Sequence, residues 1–300
     1  MTSLNRAQQP ILVGIDGSKS ALEAVRWAAT EAHRRRVGLH LVEAFGWTPT
    51  PYSPEGAVEP QLPEMLRQAG RDRVSAAAAV AAEIAPQVAV TAEVLTGFPV
   101  PRLLTEATQA QLVVIGDRGL GGFTGLLAGS VAVAMAAHAA CPVVVVRGTE
   151  SGQPVPTQGP VIVGIDGSPT SEAALAFAYE QADARRAPLV AVHAWRDLVL
   201  DPWMAPLIDW DLIEADEHRL LAERLSGWGA KYPDITVDRV VVKDRPAHAL
   251  LERSAGAQLV VVGSHGRGGF TGMLMGSVSR TLVMHAACPV AVIRPNPAQD

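Results

Sequence analysis

Three hundred residues, 48% hydrophobic and 18% charged, exclude a disordered tail, a collagen-like rod and a small disulfide-stapled scaffold. The formal charge is −5, and each half is balanced by itself: Lys+Arg 12 against Asp+Glu 13 over 1–150, then 13 against 17. With no basic field to hold a phosphodiester backbone, no nucleic-acid partner is expected.

The first ten residues, MTSLNRAQQP, carry no apolar run of the secretory kind. The longest apolar stretch, 131–146, is interrupted by His138 and Pro142 and is too short to cross a bilayer. The two cysteines, Cys141 and Cys288, both stand in the string His-Ala-Ala-Cys-Pro and read as buried, reduced residues. A cytoplasmic protein without a membrane partner is the expectation.

In chain order, Ile11–Ile15 predicts a first strand, and Ser20-Ala-Leu-Glu23 has the form of a capping box opening the first helix. Leu39–Ala44 predicts the second strand, the Ala-rich run around Arg71–Ala85 the second helix, and Val88–Leu95 the third strand. A helix from Pro99 to Ala107, a strand over Leu112–Ile115, a buried helix and a strand over Val143–Val146 complete the set. The strands read as short apolar runs buried on both faces.

The pattern then repeats. ILVGIDGS at 11–18 returns as VIVGIDGS at 161–168, and 111–147 returns at 258–294 with 23 of 37 positions identical. In the second copy Ser168-Pro169 opens the first helix, Asp211–Lys231 predicts the second and Pro246–Ser254 the third. A period near 150 residues makes each copy a complete domain. The expected organisation is domain 1 at 1–147, a linker rich in Gly, Pro, Ser and Thr at 148–160, and domain 2 at 161–300. Strands joined by crossover helices predict a doubly wound α/β fold, a parallel sheet with helices on both faces.

Ligands of such folds bind beyond the carboxyl ends of the strands. Two loops suit that place. One follows strand one, Gly14-Ile-Asp16-Gly17-Ser18 and Gly164-Ile-Asp166-Gly167-Ser168, where the carboxylate either meets ligand donors or shapes the turn. The other follows strand four: Gly116-x2-Gly119-x9-Gly129-Ser130, and Gly263-x2-Gly266-x9-Gly276-Ser277. Its glycines admit close backbone approach, and the Gly-Ser pair opens a helix whose N–H groups favour phosphate. Gly121, Gly122 and Gly125, with Gly268, Gly269 and Gly272, lie between. Neither a P-loop nor a dinucleotide fingerprint is present: Lys19 becomes Pro169, and Thr124 stands where the last fingerprint glycine belongs.

The VGIDGS strand, the Gly-x2-Gly-x9-Gly-Ser loop and the closing Ala-Cys-Pro-Val-x-Val strand make each half resemble the universal stress protein family, in its ATP-binding branch. The resemblance covers about 9–147 and 159–294 and implies a tandem-domain member with Rossmann-like sheets of order 3-2-1-4-5. It implies that Asp16 and Asp166 face the nucleotide, and that Ala44 and Ala194 lie along the adenine. Gly14, Gly116, Gly119, Gly129, Ser130 and Val131 would form one cradle, and Gly164, Gly263, Gly266, Gly276, Ser277 and Val278 the other, with Mg²⁺ accompanying ATP. The first copy departs from the common wording: Asp117-Arg118-Gly119-Leu120 stands where the second has Ser264-His265-Gly266-Arg267. Asp117 puts a second carboxylate near an anion, so weaker binding or stronger Mg²⁺ dependence is expected there.

His138 and His285, three residues before the cysteines, invite a zinc site; duplication of a buried helix end explains them better. The Trp- and Pro-rich stretches at 46–63 and 195–211 fit lids, contact patches or plain packed loops. Arg34–Arg36 and Arg185–Arg186 read as solvated helix ends. The only three lysines, Lys19, Lys231 and Lys243, lie outside the glycine loops, and Arg118, His265 and Arg267 are not shared between copies. No coherent catalytic set emerges, so an ATP-binding regulator or sensor is expected, with slow Mg²⁺-dependent ATP hydrolysis or phosphoryl transfer as the alternative. The closing strands are expected to bring the copies together as a pseudo-dimer, with a homodimer as a further option.

Overall fold

A computed structural model describes residues 6–46, 62–119, 128–147, 155–195, 209–267 and 275–294. The chain divides into two compact units, 1–155 and 156–300.

In the first unit the described elements are β1 (Ile11–Ile15), α1 (Lys19–Arg35), β2 (Leu39–Phe45), α2 (Leu62–Ile84), β3 (Val90–Thr96), α3 (Pro99–Glu106), β4 (Leu112–Gly116), α4 (Ser130–His138) and β5 (Val143–Val146). All the pairings are parallel, and they set the order β3-β2-β1-β4-β5. Val13 lies between Leu41 and Val114 in register, which makes β1 the middle of the sheet. Every residue of β1, β4 and β5 is buried, as expected of parallel strands covered on both faces. β3 corrects the sequence reading: it is an edge strand, and Thr91, Ala92 and Glu93 are exposed.

The capping reading also shifts. Ser18 caps α1, its hydroxyl accepting the Ala21 N–H at 3.1 Å, whereas the Ser20 hydroxyl is drawn away to Asp117.

The second unit runs β6 (Val161–Gly164), α5 (Pro169–Arg185), β7 (Leu189–Trp195), α6 (Trp210–Leu225), α7 (Trp228–Lys231), β8 (Val237–Lys243), α8 (Pro246–Ser254), β9 (Leu259–Gly263), α9 (Ser277–His285) and β10 (Val290–Ile293). Its order is β8-β7-β6-β9-β10, again all parallel. Ser168 caps α5 with Pro169 in the first turn, as the sequence predicts. The single helix expected over 211–231 breaks between α6 and α7, where Gly227 adopts φ 84°. Tyr179 is buried beneath this break, with Trp228 stacked on it at 4.9 Å between ring centres. Among the described residues, no helix is long and apolar enough to cross a membrane.

Candidate functional site

In each unit the turn after the first strand is tight, and glycine takes the left-handed corner: φ is 85° at Gly17 and 76° at Gly167. Just before it stands the acidic residue. Asp16 Oδ1 and Asp166 Oδ1 accept the Ser18 and Ser168 N–H groups, each at 2.9 Å, so both carboxylates brace their own turn. The Ser168 hydroxyl adds a second bond at 2.6 Å.

The other oxygen of Asp166 turns to the glycine loop, where Oδ2 accepts the Arg267 N–H at 2.9 Å. Burial pushes this carboxyl upward. The hydrogen bonds from Ser168 and Arg267 outweigh that, and the group titrates below its ordinary value. The backbone passes so close that a Cβ on Gly266 would run into Asp166 Oδ2, and one on Gly119 into Asp16 Oδ2.

The second glycine pair joins the loop's far end to the helix that follows. The Gly129 N–H donates to the Asp117 carbonyl at 2.6 Å, and the Gly276 N–H to the Ser264 carbonyl at 2.8 Å. Neither α4 nor α9 receives a side-chain cap at its N-terminus. Gly129 and Gly276, at the N-cap positions, thus give the first-turn N–H groups no side-chain partner of the kind that serines supply to α1 and α5.

In the second unit these parts enclose a cavity of about 460 Å³. All eight second-copy candidates line it: Gly164, Asp166, Ala194, Gly263, Gly266, Gly276, Ser277 and Val278. Sequence reasoning missed one wall, Pro246 and Leu250 of α8, whose amphipathic pattern looks like that of any packed helix. His265 and Arg267 line it as well.

In the first unit Asp16 meets Gly119, and Gly129 packs against Asp117 and Arg118. Gly116 lies on the α1 backbone at Ser20 and Ala21, and Gly14 against Leu103 and Ile115. Ala44 pairs with Leu95 near the end of β2, while Ser130 and Val131 open α4. An ion pair that no short motif announces crosses this end: Arg73 of α2 lies over Gly17 and grips buried Glu43 of β2, with Nε 2.9 and 3.0 Å from its two oxygens. That hydrogen bond pushes the Arg73 guanidinium still further up.

Gly121, Gly122, Gly125, Gly268, Gly269 and Gly272, together with Trp47 and Trp203, lie outside the described residues. The histidines proposed for zinc differ in setting from the cysteines: His138 is exposed and Cys141 buried, and His285 and Cys288 follow suit.

The sequence pattern of the Universal stress protein family matches residues 8–147 and 159–294. A universal stress protein of Mycobacterium tuberculosis is 43% identical over 293 residues, covering 95% of this chain and 96% of its own. Another from the same organism is 44% identical over 305 residues, covering 95% and 94%. The crystal structure of a universal stress protein from Archaeoglobus fulgidus superposes with a TM-score of 0.69 over 97% of this chain and 99% of that one, at 17% identity, which speaks for the fold. The chain carries the family's domain twice and belongs to the universal stress protein family.

Proposed function

We propose that this protein is a regulatory or sensor module that binds ATP, with one nucleotide site per unit. The observation that carries the reading is the cavity at the carboxyl ends of β6, β7 and β9, whose volume of about 460 Å³ suits a nucleotide. The site's chemistry fits the ligand. Asp166 faces ribose hydroxyls, Ala194 and Val192 offer an apolar wall to the base, and the Gly263–Gly266 backbone lies under the phosphates. Gly276, Ser277 and Val278 add the N–H groups and dipole of the α9 N-terminus. In the first unit Gly14, Asp16, Ala44, Gly116, Gly119, Gly129, Ser130 and Val131 take the matching roles. Mg²⁺ accompanies ATP by shielding its phosphates.

A slow ATPase is the second reading, because His265 and Arg267 both line the cavity. Phosphoryl transfer also needs a group that orients the attacking water. Binding without rapid turnover is therefore the expected behaviour.

The test is direct. Protein purified from cells and denatured should release adenine nucleotide, and the emptied protein should bind ATP on titration. An empty extract together with a flat titration refutes the reading. Turnover near typical enzyme rates of roughly 1–10³ per second would favour the ATPase.

A further inference from the structure

The two copies place an arginine at the same point after their last strand, Arg147 and Arg294, yet surround it differently. In the first unit the Asp117 N–H donates to the Val146 carbonyl at 2.9 Å, which brings Asp117 beside Arg147. The Asp117 carboxylate is only 1% exposed and fully engaged. Oδ1 accepts the Ser20 hydroxyl at 2.8 Å, while Oδ2 lies 3.4 Å from Arg118 Nε and 3.5 Å from Arg147 Nε. Arg118 and Arg147, two cations that the first copy could turn to phosphates, thus share one buried carboxylate, while Arg73 over Gly17 is held by Glu43.

The second unit keeps the backbone and changes the charge. The Ser264 N–H donates to the Ile293 carbonyl at 2.7 Å, the same bond at the same place. Ser264, also 1% exposed, has only a hydroxyl to offer, which meets His265 Nδ1 at 3.2 Å. Among the described residues Arg294 therefore has no carboxylate there, and its Nη1 is buried without a hydrogen-bond partner. Burying part of a guanidinium unpaired is costly unless an anion completes it. Gly263 and His265, on either side of Ser264, and Ser279, whose hydroxyl donates to the Ser264 carbonyl at 3.1 Å, all line the cavity. Arg267, which stands where the first copy has Leu120, adds a second cation over the Asp166 turn and has no ion-pair partner among the described residues.

We infer that the two sites are electrostatically inequivalent: Arg294 and Arg267 make the second a site for nucleoside polyphosphates, while Asp117 neutralises the cations of the first and leaves it selective for less charged nucleotides. This rests on the nucleotide reading above and goes further, since it names the residues that read phosphate number. It also changes the part given to Asp117, which acts by occupying arginines rather than chiefly by repelling the ligand.

The experiment compares ATP with AMP by calorimetry on the full chain and on Ser264→Asp, Arg294→Gln and Asp117→Ser. Ser264→Asp gives Arg294 an internal carboxylate, and Arg294→Gln removes the cation. Each should lower ATP affinity roughly tenfold to a hundredfold, the scale of a charge-assisted hydrogen bond, with a far smaller change for AMP. Asp117→Ser removes the carboxylate that Arg118 and Arg147 share and should raise the ATP affinity of the first site. Melting without ligand serves as the control: Ser264→Asp should melt no lower than the parent, because its carboxylate is paired. If Ser264→Asp fails to fold, Arg294→Gln carries the test alone, since Arg294 makes no ion pair among the described residues. An ATP-to-AMP ratio unchanged in Arg294→Gln and in folded Ser264→Asp overturns the inference while leaving nucleotide binding intact. Failure of the parent to bind any adenine nucleotide overturns both.

Discussion

Asp166 joins two loops that lie about a hundred residues apart in the chain: its Oδ1 holds the Ser168 N–H and its Oδ2 the Arg267 N–H, both at 2.9 Å. The strand-one turn and the glycine loop are fastened to each other through one carboxylate. Because hydrogen bonds hold its folded-state pKa below the ordinary value, the ionised form stabilises the fold. That contribution is complete above the unfolded pKa of about 3.9 and is lost as pH falls through the lower folded value. Asp166→Asn should therefore lower stability to urea by a constant amount above about pH 5, with the gap closing below about pH 4. A gap that stays the same from pH 7 to pH 3 would show that the charge has no part in it.

Glycines of the same loop should fail in different ways. A Cβ on Gly263 meets Thr170 Cβ at 2.9 Å and its carbonyl carbon at 3.0 Å, and backbone cannot step aside. Gly263→Ala should cost roughly 1–3 kcal/mol of stability, the usual penalty of overpacking. A Cβ on Gly266 meets only the Asp166 carboxylate, which can swing away. Gly266→Ala should cost less stability than Gly263→Ala, no more than the Asp166–Arg267 hydrogen bond, and lose nucleotide affinity roughly tenfold, equivalent to about 1.4 kcal/mol. Thermal melting and ATP titration separate the two cases; equal melting temperatures would count against the backbone clash at Gly263.

Leu250 packs across Gly164, where an added Cβ would stand 3.0 Å from Leu250 Cδ1, and it also forms a wall of the cavity. Leu250→Ala should cost roughly 2–5 kcal/mol by denaturant unfolding, because buried methyls are lost and the space is only partly refilled. A loss below about 1 kcal/mol would mean that α8 closes onto β6, and that the cavity wall is softer than the packing implies.

The cysteines should be chemically silent. Burial pushes the Cys141 thiol to about 11 and the Cys288 thiol to about 12, so almost no thiolate exists at neutral pH. A disulfide reagent should leave the native protein unlabelled for as long as it stays folded and react with both thiols in denaturant. Rapid labelling of the native protein would contradict their burial.

Much of this architecture could be read in the chain because its signals are local. Apolar runs, Pro169 after Ser168 and the repeated glycine spacing each act within a few residues, and the eight second-copy candidates came together around one cavity. What escaped depends on distance. Glu43 and Arg73 meet across 30 residues of sequence with no spacing rule to connect them, and Pro246 and Leu250 became a wall only through helix packing. The capping serine was misplaced by two because Ser20 had a competitor at Asp117, 97 residues away. The exposure of β3 reflects its place at the sheet edge, which composition does not encode.

Arg36 and Arg186, at the ends of α1 and α5, sit at φ 56° and 50°, a conformation in which side chains are crowded and glycine is at ease. Each donates its N–H to two helix carbonyls, so the caps themselves are intact. Both lie where the chain enters the amino-terminal ends of β2 and β7, the side of each sheet away from the candidate site. Each unit thus keeps a reserve of robustness at the end remote from its ligand. Arg-to-Gly exchanges there could toughen the protein while leaving recognition as it is.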